Sequence, residues 1–345
     1  MASLAACGDG LGPDDASTPG NPVDDTMDPA VGALMCKPSG STTGWAFSRL
    51  GVGTKPALAV GDDGTVHAAF IFEDVGSVPR SYPRRSGSRR THRVRLVAAS
   101  HAEQRSGRLV RLGHGQCSGT LLTASYDPSG FEGAGVIYGE WNGSDWTIEL
   151  AAGGSFDYAG GMALVQAGDG SVHVAFFDDV LGEIMLATRT GGEWTVTTVE
   201  AGGDALDVGY FPDMVIDPDG STLHMVYLER ATASTGVVRY ARGGPGAFEM
   251  MDVVEVAGFS GSARDIATLD LDAFGRPVIA TQTKSDFTVV RLVDGAVQPI
   301  ASFSAASGIT LGQQTEIEID AQGRTHIVRW QSGENPGTVC HAVSG

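Results

Sequence analysis

The residues of this chain that could do chemistry recur at fixed places. Histidine stands at 67, 173, 224 and 326, each time three or four residues after a glycine. Five residues beyond His173 and His224 come Asp178 and Glu229, and Asp127 holds the matching place in a copy that carries Leu122 instead of histidine; Glu73 lies close to it in the first copy. Four histidines invite a metal reading. Equivalent positions on successive packed sheets, however, lie about 10 Å apart, far outside one coordination sphere. The histidines are therefore expected to sit inside the fold, satisfied by backbone or a neighbouring hydroxyl, and Asp63, Asp169 and Asp219 to build the turns in which they lie.

The acids are more suggestive. If they end one set of strands, they approach a rim together with three loops, which hold Phe156-Asp157-Tyr158, Asp207 with Tyr210-Phe211, and Arg264-Asp265. Aromatic rings beside carboxylates suit a sugar or a cation, because ring faces stack and carboxylates accept hydroxyl hydrogen bonds or ligate Ca²⁺. Asp127, Asp157, Tyr158, Asp178, Asp207, Tyr210, Glu229, Arg264 and Asp265 are thus the candidate ligand-binding residues. No catalytic residue or metal ligand is assigned, and Ca²⁺ is the one cofactor such a rim could take. The competing reading of the same residues is loop capping and solubility.

The elements that must position them follow from repetition. GDGSVHVAFFDD at 168 to 179 has relatives at DDGTVHAAF, CSGTLLTASYD, PDGSTLHMVYLE, AFGRPVIATQT and AQGRTHIVRW, whose turn glycines are Gly64, Gly119, Gly170, Gly220, Gly275 and Gly323, at intervals of 55, 51, 50, 55 and 48 residues. Each unit reads as two strands joined by the glycine turn, a third apolar segment (Ile184 to Thr188, Val237 to Ala241, Phe287 to Leu292), and a fourth strand. Turns at Asn142-Gly143, Gly191-Gly192, Gly243-Gly244 and Asp294-Gly295 lead into that fourth strand, which often opens on an aromatic such as Trp146, Trp194 or Phe248. A period near 50 built only of strands predicts an all-β, six-bladed β-propeller with four-stranded antiparallel blades.

The sixth unit stops after three strands, whereas Gly44 to Leu50 is an orphan that matches a fourth. Pairing the two would close the ring and remove exposed edges. Cys36 and Cys340 would then lie near each other, as a disulfide in an oxidising compartment or as two buried thiols.

With 49 glycines, 42% hydrophobic residues and no apolar run long enough to span a bilayer, composition fits a turn-rich β domain over 44–345. Residues 1–43 read as a tether with too little apolar surface to fold. Inside it Leu4-Ala5-Ala6-Cys7 resembles the lipobox of bacterial lipoproteins, which implies lipidation of Cys7. Met1-Ala2-Ser3 leaves no room for a basic and an apolar leader region, so either translation starts upstream or the match is a chance string. The net charge of -18 is uneven: residues 80 to 111 hold ten arginines and one acid, which leaves 13 basic against 40 acidic residues elsewhere. An acidic body disfavours nucleic acid and anionic membranes as partners, so membrane association is expected only through a lipid anchor. The anomalous stretch 80–116 has three readings: a basic loop for phosphate or lipopolysaccharide, a compensated reading-frame slip, or a divergent blade in which Val94 and Leu96 alternate with Arg93 and Arg95.

Taken whole, the G-x-x-H-(apolar)-x-(aromatic)-x-(acid) string, VGYFP at 208 to 212 and YGEWNGSDWTIEL at 138 to 150 resemble a broad group of bacterial and archaeal lipoprotein-type β-propeller repeat proteins, some of them sialidase-like. The resemblance implies a fold and little about activity. The sialidase motif S-x-D-x-G-x-T-W is absent, as are a G-x-S-x-G elbow, an H-E-x-x-H pair and a Gly-rich phosphate loop. The expectation is a monomeric, non-catalytic cell-envelope binding or scaffold propeller whose rim takes a glycan or protein ligand. The alternative is a glycoside hydrolase or lyase using two rim carboxylates.

Overall fold

The computed structural model describes residue 36 and residues 43–52, 54–60, 66–71, 121–127, 135–141, 146–154, 161–202, 207–259, 266–283, 285–305, 310–332 and 338–345. Cys7, Cys117 and the basic segment 80–116 lie outside the described residues. So do Asp157, Tyr158, Arg264 and Asp265.

The chain opens with β1 (Trp45–Val52), and β2 (Thr54–Val60) then pairs with β3 (Val66–Ile71) as a first sheet. A second sheet holds β4 (Leu121–Asp127), β5 (Gly135–Trp141) and β6 (Trp146–Gly153). The third is a four-stranded meander of β7 (Met162–Gln166), β8 (Val172–Asp178), β9 (Glu183–Thr190) and β10 (Glu193–Glu200). The fourth repeats it with β11 (Asp207–Ile216), β12 (Leu223–Arg230), β13 (Thr235–Gly244) and β14 (Ala247–Ala257). In the fifth come β15 (Ala267–Leu271), β16 (Pro277–Gln282), β17 (Asp286–Val293) and β18 (Ala296–Ser304). The sixth has only β19 (Thr310–Ile319), β20 (Thr325–Ser332) and β21 (Thr338–Ser344) from the C-terminal stretch, and its fourth strand is β1.

That last pairing is the one the orphan strand predicts. It is antiparallel, with Trp45 opposite Ser344, Ala46 opposite Val343 and Phe47 opposite Ala342. Trp45 and Phe47 both meet Phe303 of the fifth sheet edge to face, at 5.5 and 5.7 Å between centroids, so the borrowed strand also packs on a neighbour. Cys36 is bonded to Cys340, 304 positions away in sequence. Such a bond persists in oxidising, extracytoplasmic compartments.

The second strands β8, β12 and β16 are mostly apolar because both of their faces are covered. β8 is buried at every position. One apolar cluster joins Ala163, Ala175, Ile184 and Leu186 of the third sheet to Met214, Met225, Tyr227 and Ala241 of the fourth. Others join the second sheet to the third, the fourth to the fifth and the fifth to the sixth. The first strands stand side by side, β7 next to β11, β11 next to β15, β15 next to β19, and β19 next to β2.

Two turns of the fourth strands form as the sequence predicts. Gly191-Gly192 takes φ 61° and 89°, and Asp294-Gly295 takes 51° and 74°, the doubly positive geometry of a two-residue hairpin. The expected Gly243-Gly244 turn is a correction: both residues lie in β13, and the reversal falls on Pro245-Gly246, with Gly246 at φ 83°. Proline followed by glycine is the stronger turn former. Gly243 serves the ladder instead, since a side chain there would overlap the carbonyl of Ala247.

Candidate rim and inter-sheet site

Three of the expected rim carboxylates, Asp178, Asp207 and Glu229, already have partners. Asp178 closes β8, and its Oδ1 accepts the amides of Val180 and Leu181 at 3.0 and 3.1 Å. It fixes the loop to β9, whose tip projects Val180 and Leu181 into solvent at 71% and 59% exposure. Glu229, in the matching place on β12, receives Arg239 Nη1 at 2.6 Å, and Arg239 Nη2 reaches Glu200 Oε1 at 2.9 Å. Tyr227 donates to the same Glu200 at 2.5 Å, so one guanidinium, two carboxylates and a phenol tie β10 to β12 and β13. Burial first, then the bond to Glu200, raises the Tyr227 phenol well above its ordinary range.

Asp207 opens β11 and receives Arg230 Nη2 at 2.7 Å and the Tyr210 hydroxyl at 3.3 Å. The Tyr210 ring lies between Phe177, 4.2 Å away, and the Arg230 guanidinium, 4.2 Å from its centroid. Both faces of this predicted platform are thus covered. Burial pushes its phenol up to about 12. The local backbone is forced: Gly209 has φ 115° with its Cα face against Ile184, where a Cβ would come within 2.6 Å, and Phe211 holds φ 54°. A bulky residue at positive φ persists only when its surroundings over-determine it. Asp127 ends β4 opposite Gly135. The rim therefore places Asp178, Asp207, Tyr210 and Glu229 in three separate built networks and brings no two of these acids together as a pair.

Of the four recurrent histidines, His173, His224 and His326 are satisfied inside single sheets, and the side chain of His67 lies outside the described residues. His173 Nδ1 lies 3.1 Å from Thr188 Oγ1. His224 bridges Asp217 at 3.0 Å and Tyr240 at 2.5 Å, and His326 bridges Asp320 at 3.0 Å and His341 at 3.1 Å. Each joins the turn before it to the third strand after it. Among the described residues no three His, Cys, Asp or Glu side chains converge on a metal position.

Sequence reasoning misses four groups of residues. Asp217, Asp272 and Asp320 sit three places before the turn glycines Gly220, Gly275 and Gly323 and anchor the turn in each case, a D-x-x-G spacing that could have been read. Asp213 and Asp270 on the first strands accept backbone amides of the next sheet, Leu269 at 2.8 Å and Ile319 at 2.6 Å. Glu149 takes a fork of Arg189 bonds at 2.7 and 2.6 Å plus the Trp194 indole at 2.8 Å, which joins the second sheet to the third. Least expected is a polar stretch between the fifth and sixth sheets. Gln282 is 0% exposed with neither amide atom hydrogen-bonded, Thr315 is 1% exposed with its hydroxyl unpaired, and Arg329 is 4% exposed.

No family model and no curated protein matches the chain. Among solved structures it is similar to an unknown function protein from Dyadobacter fermentans, with 14% identity, a TM-score of 0.47, and 69% of this chain and 75% of that one covered. It is similar to the polysaccharide lyase Uly1 at 12% identity and TM-score 0.43, over 69% of this chain and only 57% of the lyase. The SapL1 lectin, solved with alpha methyl fucoside, matches at 11% identity and TM-score 0.42, over 66% of this chain and 73% of the lectin. These are distant likenesses of shape and carry no activity over to this chain.

Proposed function

We propose that the six sheets are the blades of one closed propeller and that the molecule is a non-catalytic binding module of the cell envelope, lipid-anchored through Cys7 or secreted, taking a glycan or protein ligand at the rim. The period near 50, the seating of β2 beside β19, and the entry of β1 into the sixth sheet support the ring. The disulfide supports the compartment. One observation carries the binding reading: Asp178 is committed to the loop amides that hold Val180 and Leu181 out in solvent. A rim loop held by a capping carboxylate and presenting an exposed apolar pair is suited to contact.

A glycan array probed with the purified full chain, with and without Ca²⁺, tests this. Binding to at least one glycan without cleavage is expected, with loss of signal in the Val180→Asp, Leu181→Asp double variant. Turnover of any arrayed sugar would overturn the non-catalytic reading, and binding that survives the double variant would remove the site from this loop.

A further inference from the structure

The interface between the fifth and sixth sheets changes character along its length. At one end Val278 and Ala280 of β16 pack with Ile317 of β19, Ile327 of β20 and Ala342 of β21. Two residues further along each strand, on the same face by the period of two, stand Gln282, Thr315, Arg329 and Cys340. The register confirms the level, since Thr315 and Cys340 are both directly opposite Arg329. The strands of the two sheets run in matching directions, because Ile319, beside the turn of β19, bonds Asp270, beside the turn of β15. Gln282 therefore lies across the interface from Arg329, at the end where second strands reach the rim.

These groups are unusual together. Arg329 Nη1 donates to Gln331 Oε1 at 3.0 Å and Nη2 to the Cys36 carbonyl at 2.8 Å, and no carboxylate among the described residues pairs with it. Burial alone lowers its proton affinity, to about 10, with no acid counteracting. A buried cation without a counter-charge is costly. So is a buried amide with no partner, and here a carbonyl oxygen, an amino group and a threonine hydroxyl are all unpaired. An anion that also offers hydroxyls would resolve every one of these costs at once.

We propose that this polar end of the inter-sheet interface is a binding site for a small hydroxy carboxylate. The carboxylate lies against the Arg329 guanidinium, and the hydroxyl bridges the Gln282 amide and Thr315. The site is separate from the Val180-Leu181 rim loop and does not depend on that loop binding a glycan. A fully apolar interface would bind neither charge nor hydroxyl, and a bare cation would not discriminate among anions. The arrangement predicts selectivity on both counts.

The test uses the full chain with its disulfide intact, titrated by calorimetry and followed by thermal melting with sodium lactate, lactamide, sodium acetate and sodium sulfate. Lactate is expected to bind and raise the melting temperature. Lactamide, which lacks the charge, and acetate, which lacks the hydroxyl, should each bind about tenfold or more weakly, as one charged or one buried hydrogen bond is removed. Gln282→Leu keeps the volume and removes an unsatisfied amide, so it should fold with an unchanged or higher melting temperature while losing about tenfold in lactate affinity. Absence of lactate binding would overturn the proposal. So would sulfate binding as well as lactate, which would mark an adventitious ion only, or a Gln282→Leu protein that binds lactate like the parent.

Discussion

Asp213 shows how a carboxylate can look functional and be structural. It sits on β11, the first strand of its sheet, which has a ladder partner on one edge only, so its other edge leaves a row of backbone amides without a strand to pair with. Asp213 Oδ2 takes two donors from the next sheet, the Leu269 amide at 2.8 Å and the Thr268 hydroxyl at 2.7 Å. Leu269 and Thr268 are both buried, so water cannot replace the acceptor. Asp213→Ala should therefore cost about 3 kcal/mol, the sum of two hydrogen bonds to a charged group less relaxation. Asp213→Asn keeps an acceptor oxygen and should lose less than half as much. Urea denaturation of the two variants checks the order; equal midpoints for parent and Asp213→Ala would show that the contact contributes nothing. Such residues are hard to read from sequence, because a structural acid on a first strand has the same one-letter signature as a catalytic one.

At the scale of the strand and hairpin, the pattern was largely legible. Glycine turns, apolar second strands and aromatic openings of fourth strands all depend on local backbone sterics and on period-two burial, and those are written into neighbouring residues. The Tyr210 platform was not legible as a buried side chain, because its covering groups, Phe177 and Arg230, come from the strand ends of two different sheets. Nor was the buried polar stretch of Gln282 and Arg329, since a glutamine at the end of an apolar run reads as solvent-facing until the next sheet is placed on it. The histidine of the second strand makes an element-scale prediction about pH. Burial lowers the proton affinity of His173 and His224, and burial with the neighbouring His326 lowers His341 to about 4. In the unfolded chain each titrates near 6.5, at about the ordinary value. Between those limits the unfolded chain holds more protons than the folded one, so stability is complete above about pH 6.5 and falls as pH drops toward 4. His341 alone accounts for at most about 3 kcal/mol of that loss. Urea midpoints measured from pH 7.5 down to 4.5 should decline, and His341→Phe should flatten the slope; a flat profile in the parent would refute the account.

For the whole molecule the decisive question is what holds the first folded strand to the last. Two independent devices act on β21. One is the antiparallel ladder to β1, from Trp45 opposite Ser344 to Val52 opposite Thr338, and the other is the bond from Cys36 to Cys340 in the middle of the same strand. A cross-link over 304 positions removes about 5 to 6 kcal/mol of loop-closure entropy from the unfolded chain in the entropic model, and measured effects run to about 2 to 5 kcal/mol. The ladder and the packing of Trp45 and Phe47 on Phe303 do not need the bond, so the reduced protein should still fold. The Cys36→Ser, Cys340→Ser double variant is accordingly expected to keep the far-ultraviolet spectrum of the parent and to melt roughly 5 to 10 °C lower. Reductant should move the parent to the same temperature and leave the variant where it is. The variant also loosens the segment whose Cys36 carbonyl is held by Arg329, so its melting should become steeper in its dependence on lactate if the inter-sheet interface takes a carboxylate. Parent and variant that melt together under oxidising conditions would show that the ladder alone closes the molecule, and the disulfide would then be a mark of compartment and not of stability.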